Sequence, residues 1–341
     1  MPGQAGTPGP DHPVVQPAEL AERASAAAGR PVRDLVPLQG GASSLTFRAR
    51  WADGPASEPL VLKVAPPGVP PVRNRDVLRQ AKVLRSLAKE QDVLVPEVLF
   101  EDAGTPPDVP PLFGMSFVAG ESLDPNIDPD ITLPAPADVT GRARHAAETL
   151  AALHRTDLAR TGLDGEPAGT LPAEIDRWVR AFGTVPDDLR PGADAVAEQL
   201  GATVPRACDP VLLHGDYRLG NTLCEGSRLR AVIDWEIWSI GDPRLDLAWF
   251  LLTADPDAHP SAQRRAPGMP GPDELRAVYA DAGGPSTENL EWFEALALFK
   301  LAAASALIAK NARRRGETSG FGARAAEQVP DMIARARTAL V

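Results

Sequence analysis

Residues 214–221 read HGDYRLGN, straight after the apolar run PVLL, and AVIDWE (231–236) and GDPRLDLAW (241–249) follow at short distance. Two short apolar runs here each end near a carboxylate, Asp216 and Asp234. A carboxylate beside an apolar strand is costly to desolvate unless it has a partner or a task. Between them, Asn221 opens the stretch NTLCEGSRLRAV, where Glu225, Gly226 and Ser227 predict a hairpin turn. A hairpin draws its two ends together, so Asn221 Oδ1 and the Asp234 carboxylate can face one hard cation. Mg²⁺ takes one or two protein oxygens and completes its shell with phosphate and water. Asp216 then stands next to the metal pair, placed to accept a proton from an attacking hydroxyl. Any one of these residues alone would read as backbone capping; the three in this order favour chemistry.

Outward from that stretch the chain divides by pattern. Upstream, PAELAERASAA (17–27) reads as a short helix, and LVPLQGGASSLTFRARW (35–51) alternates around a Gly/Ser cluster as strand, turn, strand. PLVLKVA (59–65) is an apolar strand with one lysine, Lys63. Residues 75–89 space Val77, Ala81, Leu84 and Leu87 as an amphipathic helix. LVPEVLFED (94–102) and PPLFGMSFVAG (110–120) are further strands. Beyond them helices are expected over 138–154 (with Asp138 as N-cap), 174–182, 194–200, 291–310 and 323–340. The fold class is therefore α+β: a disordered lead-in (1–16), a small β-rich N-lobe (17–117) and a larger, mostly helical C-lobe (118–341).

Composition bounds the function. The 341 residues carry 35 Lys and Arg against 46 Asp and Glu, a net charge of −11, which argues against nucleic acid or an anionic membrane surface as the main partner. With 43% hydrophobic and 24% charged residues the chain can bury a core, and its 29 glycines and 36 prolines stay below a low-complexity composition. The most apolar stretch, residues 295–309, is short for a span and contains Lys300, so it reads as a buried core helix. The N-terminal MPGQAGTPGPDHP lacks the features of a signal peptide. Cys208 and Cys224 provide neither a disulfide framework nor a CxxC pair, and a cytoplasmic address is expected. A phosphate loop of the GxxxxGK[ST] type, GxGxxG, HExxH and GxSxG are all absent.

HGDYRLGN, IDWE and GDPRLDLA together resemble the aminoglycoside phosphotransferase and choline-kinase-like group of small-molecule kinases, nearest to its acyl-CoA-dehydrogenase-associated and antibiotic-modifying branches. The D-x4-N spacing with a strand-terminal Asp is that of the wider protein-kinase-like fold. The resemblance implies a bilobal kinase-like fold, with the lobes joined near Phe117. It implies that Asp216 is the catalytic base, that Asn221 and Asp234 hold Mg²⁺, and that His214 shapes the loop. Glu236 would orient Asp234 or approach the metal through water. Lys63 would meet the α/β-phosphates of ATP, and Gly41, Ser43 and Ser44 would form the phosphate-covering turn. Ser116 and Val118 would lie at the hinge facing adenine. At the helix position where the family carries a glutamate for the lysine, this chain has Gln80, with Asp76 one turn earlier as the other candidate.

The expected activity is ATP- and Mg²⁺-dependent phosphorylation of a small-molecule hydroxyl, on an antibiotic such as an aminoglycoside or macrolide or on another alcohol or sugar. Two readings stand beside it: use of GTP or transfer of a nucleotidyl group on the same fold, and a nucleotide-binding pseudoenzyme, suggested by Gln80. Residues 174–182 and 255–281 are expected to build the acceptor pocket, and the Pro-rich loop 255–272 to act as a lid. Trp235, Trp238 and Trp249 are core candidates, with Trp238 also a candidate for the pocket wall. Asp242 and Asp246 are expected to be structural, as are His154 and Asp157.

Overall fold

A computed structural model describes residues 16–38, 43–53, 58–317 and 319–340. The chain divides into two units. The first holds residues up to Gly120, with Thr161–Leu163 and Arg230–Trp238; the second holds Glu121–Arg160, Asp164–Leu229 and Ser239–Val341.

The first unit begins with α1 (Pro17–Ala28), which starts on a proline and closes on Gly29 in the left-handed conformation, φ 64°. An antiparallel sheet follows in the order β1-β2-β3-β5-β4. Its strands are β1 (Val32–Pro37), β2 (Leu45–Trp51), β3 (Pro59–Val64), β4 (Val98–Asp102) and β5 (Leu112–Ser116). In β2 the alternation turns Phe47, Ala49 and Trp51 inward, while the central β3 is buried along nearly its whole length. That explains its unbroken apolar sequence: a central strand covered on both faces has no polar side to alternate with. Lys63 lies in this strand, opposite Thr46 of β2 and Phe113 of β5. Leu20 and Ala24 of α1 close the core over Phe47, Trp51, Leu62 and Phe100. Gly114 is required here, because a Cβ would run into the Phe100 ring. Helix α2 (Val77–Leu87) packs on β4 and β5. Asp76 caps it, accepting from the Arg79 amide at 3.1 Å.

The second unit is mostly helical. Its helices are α3 (Pro136–His154), the short α4 (Leu158–Thr161, its last residue grouped with the first unit), α5 (Leu171–Phe182), α6 (Ala193–Ala202), α7 (Arg244–Ala254), α8 (Pro272–Asp281), α9 (Leu290–Arg314) and α10 (Phe321–Ala339). The expected helices are thus all present, with ends shifted by one to four residues, and one shift changes a cap. Helix α3 starts on Pro136, whose fixed φ suits the first helical position, so Asp138 sits inside the first turn instead of capping it.

Helix α9 is long and apolar enough to cross a membrane by length and composition, although the run 295–309 taken alone looks too short. It is mostly buried, packed against α10, α7 and α5, and serves as a core helix. β6 (Val211–Leu213) pairs antiparallel with β9 (Ser239–Gly241). β7 (Thr222–Glu225) turns at Gly226, φ 55°, into β8 (Arg228–Val232), and the chain passes from the second unit into the first within β8.

The loop 255–271 is anchored, contrary to its reading as a lid. Asn126, almost fully buried, donates to Ala254 O at 2.7 Å and accepts from Ala266 N through Oδ1 at 2.8 Å. Its own carbonyl accepts from Gln263 N at 2.8 Å. One buried amide thus supplies the partners that a free loop would take from water.

Candidate active site

In the second unit, β6 ends in the turn His214-Gly215-Asp216, and Gly215 takes φ 87°, a conformation glycine adopts without a Cβ clash. Asp246, in the first turn of α7, accepts both amides of the turn, His214 N at 2.6 Å and Gly215 N at 2.9 Å. Burial pushes the Asp246 carboxyl up, but hydrogen bonds and the nearby His154 and His214 outweigh it and hold it below the usual range. Asp246 is therefore a buried anion with a structural task, as expected. Asp242 does the same nearby, paired with Arg244 at 2.7 Å and accepting from Cys208 N.

The turn leaves Asp216 half-buried, with its carboxylate held by hydrogen bonds. Its Oδ1 accepts from Trp249 Nε1 at 2.7 Å, and its Oδ2 accepts from Asn221 Nδ2 at 2.9 Å and, more loosely, from Arg218 Nε at 3.4 Å. Asn221 Nδ2 also donates to the Asp216 carbonyl at 2.8 Å, so Asp216 and Asn221 are brought together. The Asp216 amide donates to His214 Nδ1 at 3.2 Å, which requires that nitrogen to be unprotonated. His214 is fully buried and shapes the turn from inside.

Three contributors to this arrangement were not singled out from the sequence. Lys300 of α9 donates its ammonium to Gly215 O at 2.7 Å and lies 4.0 Å from the centre of the Trp249 ring. Burial pushes its pKa down, with the charges of Asp216 and Glu174 opposing. Trp249, expected only as core, carries one of the hydrogen bonds to the catalytic candidate. Asp124 accepts from Gly220 N at 2.8 Å and pairs with Arg218. Burial raises the Asp124 carboxyl, and Arg218 opposes that only in part. A Cβ on Gly220 would press on the ends of both the Arg218 and Asp124 side chains. The sequence held one signal for this set: a lone lysine in the apolar run 295–309 needs a buried acceptor.

In the first unit, Lys63 Nζ donates to Asp234 Oδ1 at 2.8 Å, so these two candidates also meet. Asp234 adopts φ 66°, uncommon for a residue with a Cβ. Gln80 is buried and, with Lys63, Asp234 and Phe113, lines a crevice of about 10 Å³, about one water in size. The Gln80 amide nitrogen has no hydrogen-bond partner among the described residues. Asp76 does not support Lys63, because its carboxylate caps α2.

Ser43 Oγ donates to Glu236, tying the Ser-containing turn to the segment after Asp234. Ser44 is buried, and its hydroxyl has no partner among the described residues. Gly41 lies outside the described residues. Ser116 binds Glu97 on both sides, donating its amide to Glu97 O at 2.8 Å and accepting from Glu97 N through Oγ at 2.9 Å. Val118 follows, half-buried, beyond the end of β5. Trp238 is buried, as the core reading expects. It lies in the first unit, 3.7 Å from the Arg79 guanidinium, and donates to Arg79 O.

Comparison with known proteins bears on this arrangement. The model of the phosphotransferase enzyme family matches residues 34–295. Acyl-CoA dehydrogenase family member 10 of Mus musculus is 27% identical over 286 residues, covering 79% of this chain and 26% of its own length. The chain thus spans about a quarter of that relative, and 36% of the related family member 11 of Rattus norvegicus. Among solved structures, a Ralstonia eutropha chain provisionally described as an aminoglycoside phosphotransferase superposes with a TM-score of 0.74 at 22% identity, covering 91% of this chain and 93% of that one. An aminoglycoside phosphotransferase in ternary complex with AMP-PNP and hygromycin B gives a TM-score of 0.60 at 17% identity, with coverages of 93% and 98%. These neighbours share the kinase-like α+β fold.

Proposed function

The chain belongs to the phosphotransferase enzyme family, and from that premise we propose that it moves the γ-phosphate of ATP, with Mg²⁺, to a hydroxyl of a small molecule. The observation that carries this reading is the Asp216 carboxylate, held by donors from Trp249, Asn221 and Arg218 at the end of β6. A carboxylate fixed from three sides loses little freedom when it receives a proton in the transition state. In this mechanism Asp216 takes the proton of the acceptor hydroxyl. The freed oxygen forms a bond to the γ-phosphorus as the bond to the bridging oxygen breaks, and ADP leaves.

The residues present suit the nucleotide and its metal. The Lys63 ammonium offers a cation to phosphate oxygens. The buried Ser44 hydroxyl, without a partner among the described residues, is a donor waiting for an acceptor. Asn221 spends its amide nitrogen twice on Asp216, which leaves its carbonyl oxygen as a hard ligand. The Asp234 carboxylate is likewise a hard oxygen ligand, and it is from the family resemblance that these two residues are proposed to hold Mg²⁺, whose charge would neutralise the phosphates. Ser116 and Val118 are proposed to face the base, and Ser43 and Glu236 to set the turn and the Asp234 segment. His214 keeps the Asp216 turn in shape.

The test is an ADP-release assay over a panel of alcohols, sugars and antibiotics, with the product weighed to show one added phosphate and no nucleotide. Asp216→Asn should lower kcat by about 10²–10⁴-fold. Turnover at the wild-type rate in that variant would overturn the mechanism. ATP binding without turnover on any acceptor would favour a non-catalytic role, the reading for which the buried Gln80 speaks.

A further inference from the structure

The second unit contains a cavity of about 410 Å³ between segments 124–129 and 259–263 and the facing sides of α9 and α10. It lies against the catalytic candidate, because two of its lining residues, Trp249 and Arg218, are hydrogen-bonded to Asp216. The expected wall from residues 174–182 is not part of it; α9 and α10 take that place. Leu301, Ala304 and Ile308 of α9 and Phe321 and Ala325 of α10 give it a continuous apolar side.

Its charged groups carry both signs. Asp124 is held by Arg218 and the Gly220 amide, and Asp128 accepts from the Asp124 amide at 2.7 Å. His259 accepts from Ser261 N through Nδ1, and burial together with the charges of Arg218 and Arg335 holds it neutral, with a pKa lowered to about 4. Arg324, exposed at the rim, forms no ion pair among the described residues. Asp128, half-buried, has no cation partner among the described residues, so the polar end of the cavity offers one carboxylate beside the guanidinium groups, while its α9 and α10 side is apolar.

Resting on the phosphotransfer reading for the direction in which the hydroxyl points, we infer that the acceptor is an amphipathic alcohol. Its hydroxyl meets Asp216, and an apolar body lies along α9 and α10.

The test uses the series from 1,2-butanediol to 1,2-decanediol, with kanamycin as the polyamine control. Binding is measured by calorimetry without nucleotide, and turnover separately by ADP release. Affinity and kcat/KM should each rise about three- to fourfold per methylene until the cavity is filled. Ile308→Asp and Phe321→Ser, both at partly exposed positions and so tolerable to the fold, should flatten that rise. Diols that do not bind, affinity independent of chain length, or tighter binding of kanamycin would overturn the inference. A chain-length slope in binding without ADP release from any diol would leave the pocket assignment standing and sink phosphotransfer. ADP release with kanamycin and no diol binding would do the reverse.

Discussion

Replacing Lys300 by Met should cost activity while leaving the fold nearly as stable. The ammonium makes two contacts that matter: a 2.7 Å hydrogen bond to Gly215 O and a position 4.0 Å from the Trp249 ring centre. Hydrogen bonds to charged groups contribute about 1.5–3 kcal/mol and a cation over an aromatic face about 0.5–2 kcal/mol. Against them stands the cost of burying the cation, which is what lowers its pKa. Met fills similar space without that cost, so the two sides nearly cancel in stability. They do not cancel in catalysis. Gly215 O and the Trp249 indole are the immediate neighbours of Asp216, and loosening them lets the carboxylate wander. If about 1.4–2.8 kcal/mol of the restraint is realised in the transition state, kcat falls about 10- to 100-fold.

The assay is steady-state ADP release with nucleotide and acceptor varied separately, beside thermal melts followed by circular dichroism. A lower kcat, a nearly unchanged KM for nucleotide and a melting temperature within a few degrees of wild type are expected. The pH dependence adds a second readout. A lysine whose folded pKa is depressed binds fewer protons in the native than in the unfolded state, so stability climbs as pH rises from the folded value towards about 10.4. Lys300→Met should remove that climb. A variant with wild-type kcat, or one whose activity falls only in step with its melting temperature, would refute the argument.

Trp249→Phe keeps an aromatic ring under Lys300 but deletes the donor to Asp216 Oδ1, and should lower kcat by roughly tenfold with little change in melting temperature; a kcat equal to wild type would mean the indole N–H is dispensable. Gly220→Ala would force a methyl group against Asp124 and Arg218, and should cost about 1–3 kcal/mol in denaturant titrations while also displacing Arg218 from Asp216. His259 stays neutral in the folded protein down to about pH 4, whereas the unfolded chain protonates it near 6.5. Stability should therefore fall as pH drops through that window, by up to about 3 kcal/mol, and His259→Gln should abolish that part of the slope. Identical slopes in urea titrations of the two proteins would show that His259 is not the group responsible.

The parts of the fold and site that were legible in the sequence are those written by local rules. Alternation in β2, the uninterrupted apolar run of β3 and the helical spacing of α2 each follow from period and burial along a few residues. Asp216 and Asn221 are five apart and meet through one short turn, so a motif captures them. Lys63 and Asp234 are 171 residues apart yet were both marked, because each is a charge next to an apolar strand, a placement that demands a partner. Where the sequence reading missed, the deciding contact was long-range. The loop after α7 looks like a free lid until Asn126, more than a hundred residues earlier, is seen to hold it. Asp76 looks as suitable as Gln80 for supporting Lys63, until the helix start claims its carboxylate.

Lys300 shows how such a contact can be argued before it is seen. Within residues 295–309 it is the only charged side chain, in a helix whose neighbours are nearly all Ala, Leu and Phe. The same physics that reads the run as buried says that the ammonium must find an acceptor inside, and the carbonyls within its own helix are already spent on the helix ladder. The acceptor must come from backbone outside regular structure. In this chain the strongest candidate for such backbone is a glycine turn held open for chemistry, and Gly215, at φ 87°, is one. Its amide is taken by Asp246, which leaves the carbonyl to the lysine. The cost of one buried charge in α9 and the conformational demand of the Asp216 turn thus meet at a single peptide group. That is why a substitution 84 residues from the catalytic carboxylate is expected to act on kcat before it acts on the fold.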